Sequence, residues 1–170
     1  VMHGIASILA IHQLNLIALP LGSGRSTNDC IESMKVAAVD YLLSFDRGVA
    51  KLVKQEPCKR PTLYRELTGS GLVLLSSGTS GSPKAMLHSL KALLKRYKMI
   101  PSRTERSLQL LLIDHIGGFD AALRSLFAGS TLIIPDQVSP EAAGRAIEAH
   151  KVTVLPASPT FLNLLLLNGI

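Results

Sequence analysis

GLVLLSSGTSGSPKAMLHS, residues 71–89, is the stretch whose reading decides the fold. It opens as an apolar run, Leu72-Val73-Leu74-Leu75. It breaks into Ser76-Ser77-Gly78-Thr79-Ser80-Gly81-Ser82-Pro83-Lys84 and returns to apolar residues at Ala85-Met86-Leu87. Short apolar runs bounded by turn residues predict buried strands. The middle has nothing to bury, so it is a loop between them.

The loop's composition suits a polyphosphate. Glycines let backbone N–H groups approach an anion closely. The hydroxyls of Ser76, Ser77, Thr79, Ser80 and Ser82 add donors, and Lys84 adds a compact positive charge. Pro83 stiffens the exit and fixes where Lys84 starts. The pattern is not a Walker A loop, which needs Gly-Lys-Ser/Thr after its gap. Here Pro83 precedes the lysine and Ala85 follows it. The plain alternative, a flexible Gly/Ser linker, does not account for a placement between two apolar strands or for the Pro-Lys ending.

SSGTSGSPKAM resembles the signature phosphate loop of acyl-adenylate-forming enzymes, the superfamily of acyl-CoA synthetases, luciferases and peptide-synthetase adenylation domains. Every position fits the usual form of that loop. The resemblance implies an α/β fold, a mostly parallel sheet flanked by helices, as a subdomain of the large N-terminal domain of such enzymes. It implies ATP-dependent activation of a carboxylic acid, fatty or aryl, as acyl-AMP with release of pyrophosphate. A thioester with CoA or a carrier-protein phosphopantetheine would follow. Thr79, Ser80 and Lys84 would then contact phosphate, Lys84 with a catalytic share, while Ser76, Ser77, Gly78 and Gly81 shape the loop. ATP and Mg2+ are the implied cofactors, with the Mg2+ ligands mostly outside these residues.

The chain has 170 residues, 47% hydrophobic and 18% charged, which predicts a globular core. Aromatics are 4% and Trp is absent, so that core is aliphatic. The formal charge of +6 is scattered apart from Lys91, Lys95, Arg96 and Lys98. No aromatics interleave with those cations, which argues against nucleic acid as a partner. Cys30 and Cys58 show no metal or disulfide spacing, so no metal site is expected and a reducing cytoplasm fits. No apolar run reaches the ~18 residues of a membrane span.

Outward from the loop, the upstream chain reads helix, strand, helix, strand. Residues 4–13 form a helix, Leu14–Leu19 a buried strand, Thr27 or Asn28 caps a second helix, and Tyr41–Phe45 is a strand. That alternation predicts a parallel α/β layer. Residues 46–70 read as a surface connection, with a short strand at Val49–Val53. Downstream, Ser89 opens a helix through Lys98 whose apolar face is Leu90, Leu93, Leu94 and Tyr97.

Ser107–Ile113 reads as a strand broken in pattern only by Gln109, and it runs into Asp114-His115-Ile116-Gly117-Gly118-Phe119-Asp120. A strand end followed by a glycine turn and a helix is where α/β folds place ligands. The resembling enzymes carry a His-x-Gly-Gly or similar motif here, which implies that His115, Gly117 and Gly118 border the substrate pocket. The alternative is a capping turn in which Asp114 caps and His115 is incidental. Further strands are expected at Thr131–Pro135 and Val152–Leu155. A helix capped by Ser139, with Pro140 at its first position, runs to His150, and a helix packed on all sides spans Phe161–Leu167.

The resemblance covers nearly the whole chain but about a third of a typical adenylating enzyme. Residues 1–170 are therefore expected to be a single partial domain, inactive alone, whose partners include the rest of a parent chain or a carrier protein. Two other readings stand beside it. One is a non-catalytic nucleotide-binding or interaction module built on this fold. The other is an unrelated phosphate-binding α/β protein such as a kinase, which the Pro83-Lys84 pair argues against.

Overall fold

The computed structural model describes residues 1–56, 58–76 and 83–170, and of Leu63 the backbone alone. The chain divides into two compact units, Val1–Leu93 and Leu94–Ile170.

In the first unit, helix α1 (Met2–Gln13) leads to a two-residue strand β1 (Ile17–Ala18). The expected strand Leu14–Leu19 shrinks to these two residues. Asn15 turns to a positive φ of 55° and Leu16 is exposed, so Leu16 gives the sheet only its carbonyl, accepting from the Gly71 N–H, and Ile17 and Ala18 are the residues in register with β4. Helix α2 (Thr27–Val36) is capped by Ser26, one residue earlier than expected; its Oγ accepts from the Asp29 N–H at 3.1 Å.

Strands β2 (Tyr41–Asp46) and β3 (Val49–Lys54) pair with each other, antiparallel, and form a sheet of their own. Their turn is Arg47-Gly48, with φ of 48° and 82°. Two positive φ values make the tight turn whose twist matches a hairpin. The Tyr41 run therefore does not extend a parallel layer.

Strand β4 (Gly71–Ser76) is the buried centre of a three-stranded sheet, in the order β1-β4-β5. Leu72, Val73 and Leu74 are at most 2% exposed. Strand β5 (Lys84–Ser89) runs antiparallel beside it and is only half-buried, with Lys84 and Met86 facing outward. β1 runs parallel to β4. The α/β class stands, but the sheet is mixed. A parallel crossover takes a dozen or more residues, far more than separate β4 from β5, so the chain can only double back.

Helix α3 (Leu90–Tyr97) follows directly, with Leu90, Leu94 and Tyr97 buried and Lys91, Lys95 and Arg96 exposed.

In the second unit, β6 (Arg106–Leu108) and β7 (Thr131–Ile133) pair in parallel, and Ser107 bridges Val154. The expected strands at 107–113 and 152–155 are thus a three-residue strand and a single bridge. Helices α4 (Ile116–Phe127), α5 (Pro140–His150) and α6 (Pro159–Leu167) complete the unit.

α5 begins as its sequence predicts, with Ser139 Oγ accepting from the Ala142 N–H at 3.2 Å. Leu108, Leu110, Ile133, Ala143, Ala146 and Leu165 form one apolar core. α6 is not packed on all sides. Leu165 is its buried residue, while Leu166 and Leu167 are 73% and 82% exposed.

Candidate functional site

The sequence places its candidate residues in two groups, and the structure locates one group in each unit. Ser76 and Lys84 face each other as the last register pair of the β4–β5 ladder. They are the two posts from which the loop springs, at the carboxyl end of the buried strand. Ser76 is half-buried and Lys84 exposed, so the ammonium stays in water at the mouth of the hairpin. Ser77, Gly78, Thr79, Ser80 and Gly81 lie outside the described residues.

The second group surrounds the start of α4. After Leu108 the chain leaves the sheet. The Gln109 N–H still donates to Ile133 O at 2.8 Å, and the chain then turns so that the His115 N–H reaches Leu112 O at 3.2 Å. His115 is the N-cap residue, extended at φ −118° and ψ 147°, and caps without its side chain. Asp114, expected as the cap in the plainer reading, is instead buried at 3% and sits one residue too early. Its Oδ1 lies 3.9 Å from His115 Nε2, whose side chain is mostly exposed.

The two glycines of the motif have different reasons to be glycine. A Cβ on Gly118 would lie 2.0 Å from the Leu112 carbonyl oxygen, so the backbone approach itself excludes any other residue. A Cβ on Gly117 would meet only the Leu111 side chain, at an ordinary 3.8 Å. Its missing side chain leaves space, and that space belongs to a cavity of about 320 Å³. His115, Gly117 and Gly118 all line it, together with apolar side chains that include Leu111, Val138 and Phe161. Ser158 also borders it, but its Oγ already accepts from the Phe161 N–H as the cap of α6. An apolar chamber with a single histidine at its edge can hold an apolar body and orient one polar end.

Two further features support this region. The Tyr97 hydroxyl donates to Asp120 Oδ1 at 2.8 Å, and Arg124 Nε donates to Asp120 Oδ2 at 2.6 Å. This clips the end of α3 to α4. Burial, and next the bond to Asp120, push the Tyr97 phenol well above its ordinary range. The other feature is Gln109, whose carboxamide is buried beside the glycine turn. A lone amide inside an apolar run was the one available signal. Among the described residues no three His, Cys, Asp or Glu gather as a metal site.

A hydroxyl- and glycine-rich segment between the paired ends of β4 and β5, with a histidine-glycine-glycine helix start elsewhere in the chain, belongs to a protein of the α/β class. The profile of the AMP-binding enzyme family matches residues 2–169, and the chain belongs to that family. It is 31% identical over 98 residues to 4-coumarate--CoA ligase-like 9 of Arabidopsis thaliana, a match covering 53% of this chain and 17% of that one.

Its fold is similar to that of o-succinylbenzoate coenzyme A synthetase (MenE) from Bacillus subtilis. With AMP bound, that structure has a TM-score of 0.65 at 20% identity, over 98% of this chain and 49% of that one. In complex with ATP and magnesium ion it has a TM-score of 0.63 at 18% identity, over 95% and 49%. The chain spans between 17% and 26% of the length of the curated relatives it matches first. Among the described residues no helix is long and apolar enough to cross a membrane.

Proposed function

We propose that residues 1–170 are a partial domain of an enzyme that activates a carboxylic acid with ATP. The products are an acyl-adenylate and pyrophosphate, and the acyl group then passes to the thiol of CoA or of carrier-protein phosphopantetheine, with AMP leaving and the thiol proton released. The observation that carries this reading is the position of Ser76 and Lys84 as paired posts of the phosphate-type loop, at the end of the buried strand of a family member.

In the reaction a carboxylate oxygen attacks the α-phosphorus, the bond to the bridging oxygen breaks, and pyrophosphate leaves with the electron pair. Two anions must meet, and negative charge grows on the leaving group. Ser76, Ser77, Gly78, Thr79, Ser80 and Gly81 supply hydroxyl and amide donors to the phosphates, and Lys84 supplies the neutralising charge. The carboxylate is already ionised at neutral pH, so no general base is needed.

The cavity at His115, Gly117 and Gly118 takes the acid's apolar part, aryl or aliphatic, and His115 orients its polar end. Mg2+ bound with the nucleotide would neutralise phosphate charge, and its protein ligands would come mostly from outside these residues. Free Cys30 and Cys58 support a cytoplasmic location.

The test is Lys84→Ala in the full-length enzyme, followed by pyrophosphate exchange. A contact that acts mainly in the transition state is worth about 10²–10³ in kcat, with a smaller change in the KM for the acid. An unchanged kcat would remove Lys84 from the machinery.

A further inference from the structure

Gln109 is the only polar residue in the run Leu108–Ile113 before Asp114, and it is 4% exposed. Its backbone is tied to Ile133 at the edge of the β6–β7 ladder. The side chain therefore starts from a fixed point where the chain leaves the sheet. Its carboxamide nitrogen donates to Leu111 O at 2.5 Å and to Gly118 O at 3.1 Å. Its Oε1 is buried and has no hydrogen-bond partner among the described residues.

A buried carbonyl oxygen without a partner is costly, so a glutamine kept in this place needs a reason. The two bonds supply one. Carbonyl oxygens from opposite sides of the turn converge on one point and would repel each other if nothing stood between them. A nitrogen with two hydrogens turns that repulsion into two attractions. Only the amide side chains offer two such hydrogens on one uncharged atom, and Asn is one methylene shorter. An isosteric Met offers none, and Glu puts a third oxygen where the hydrogens were.

We propose that Gln109 is a positioning residue for the acid cavity: its carboxamide fastens Leu111 to Gly118 and so sets the width of the mouth shared by His115 and Gly117. The residues whose backbones it grips are themselves cavity walls. The grip also holds the close approach of Leu112 to Gly118 that excludes a Cβ there. This inference rests on the reading of the cavity as the site of the acid.

The test compares Gln109→Met, Gln109→Asn and Val138→Phe in the full-length enzyme. The probe acid is whichever of octanoate, benzoate and cinnamate the parent turns over fastest. Gln109→Met should raise the KM for the acid roughly tenfold, the cost of about one buried hydrogen bond, and leave the KM for ATP within about twofold. Gln109→Asn, able to reach one carbonyl, should lie between, and it carries the test if the Met variant does not fold.

Val138→Phe enlarges a side chain on the cavity wall and probes the underlying reading by itself. If it raises the KM for the acid while both Gln109 variants leave it unchanged, the positioning role is overturned and the cavity reading survives. If Gln109→Met raises both KM values equally, its role is general stability and the proposal is likewise overturned. If Val138→Phe changes nothing, the cavity does not hold the acid and both fail.

Discussion

Replacing Gly118 by alanine tests the geometry at the start of α4 most directly. The added Cβ would sit 2.0 Å from Leu112 O, 2.5 Å from the Leu112 carbonyl carbon and 2.7 Å from Leu111 O. Cβ atoms essentially never approach other heavy atoms within 3.0 Å, so the two backbones must separate by about 1 Å. All three obstructing atoms are main chain, so no side-chain rotation relieves the clash.

Overpacking of this kind costs about 1–3 kcal/mol. Separating the helix start from the turn also stretches the Gln109 bond to Gly118 O, which adds about 1 kcal/mol. A total near 3 kcal/mol lowers the melting temperature of a chain this size by roughly 6–12 °C. The assay is thermal unfolding of Gly118→Ala beside Gly117→Ala, where the added methyl meets nothing closer than 3.8 Å. Gly117→Ala should melt within about 2 °C of the parent, since open-site substitutions are usually worth under 0.5 kcal/mol. Equal melting temperatures for the two variants would refute the close approach.

The remaining predictions concern the α3–α4 clip and the reach of these residues. Tyr97 keeps its proton to higher pH in the folded chain than when unfolded, where its phenol titrates near 10.0. Its contribution is whole below that pH and is lost as pH rises toward the folded value. The urea midpoint of the parent should therefore fall more steeply above about pH 10 than that of Tyr97→Phe, and parallel slopes would remove Tyr97 as the cause. At neutral pH the same substitution frees Asp120 Oδ1 and should cost about 1–2 kcal/mol in chemical denaturation. Residues 1–170 alone should show pyrophosphate exchange at background with octanoate, benzoate or cinnamate, because they span about a quarter or less of the curated relatives' length. Clear turnover would show that the chemistry needs nothing more.

Local chemistry made much of this protein legible in its sequence. The family was legible in the run Ser76–Lys84, because its glycines, hydroxyls and lysine between two apolar segments resemble that family's signature. The start of α5 was equally plain, because Ser139 and Pro140 act on backbone groups within one turn. His115, Gly117 and Gly118 fall within four positions of the sequence, and all three line one cavity.

Long-range pairing was not legible. Whether the Tyr41 strand joins a parallel layer or folds back on Val49–Lys54 depends on the φ values of Arg47 and Gly48 and on what lies beside it, and hydrophobic pattern records neither. After Ser107 the run to Ile113 is apolar except for Gln109, yet only Ser107 and Leu108 join the β6–β7 ladder. The rest turns under α4 because Gln109 and the absent Cβ of Gly118 hold it there, residues nine apart in sequence that meet only after folding. A sequence states which groups a segment offers. Which partner accepts them is settled by three-dimensional closure, since hydrogen bonds and steric contacts act through space and take no account of position along the chain.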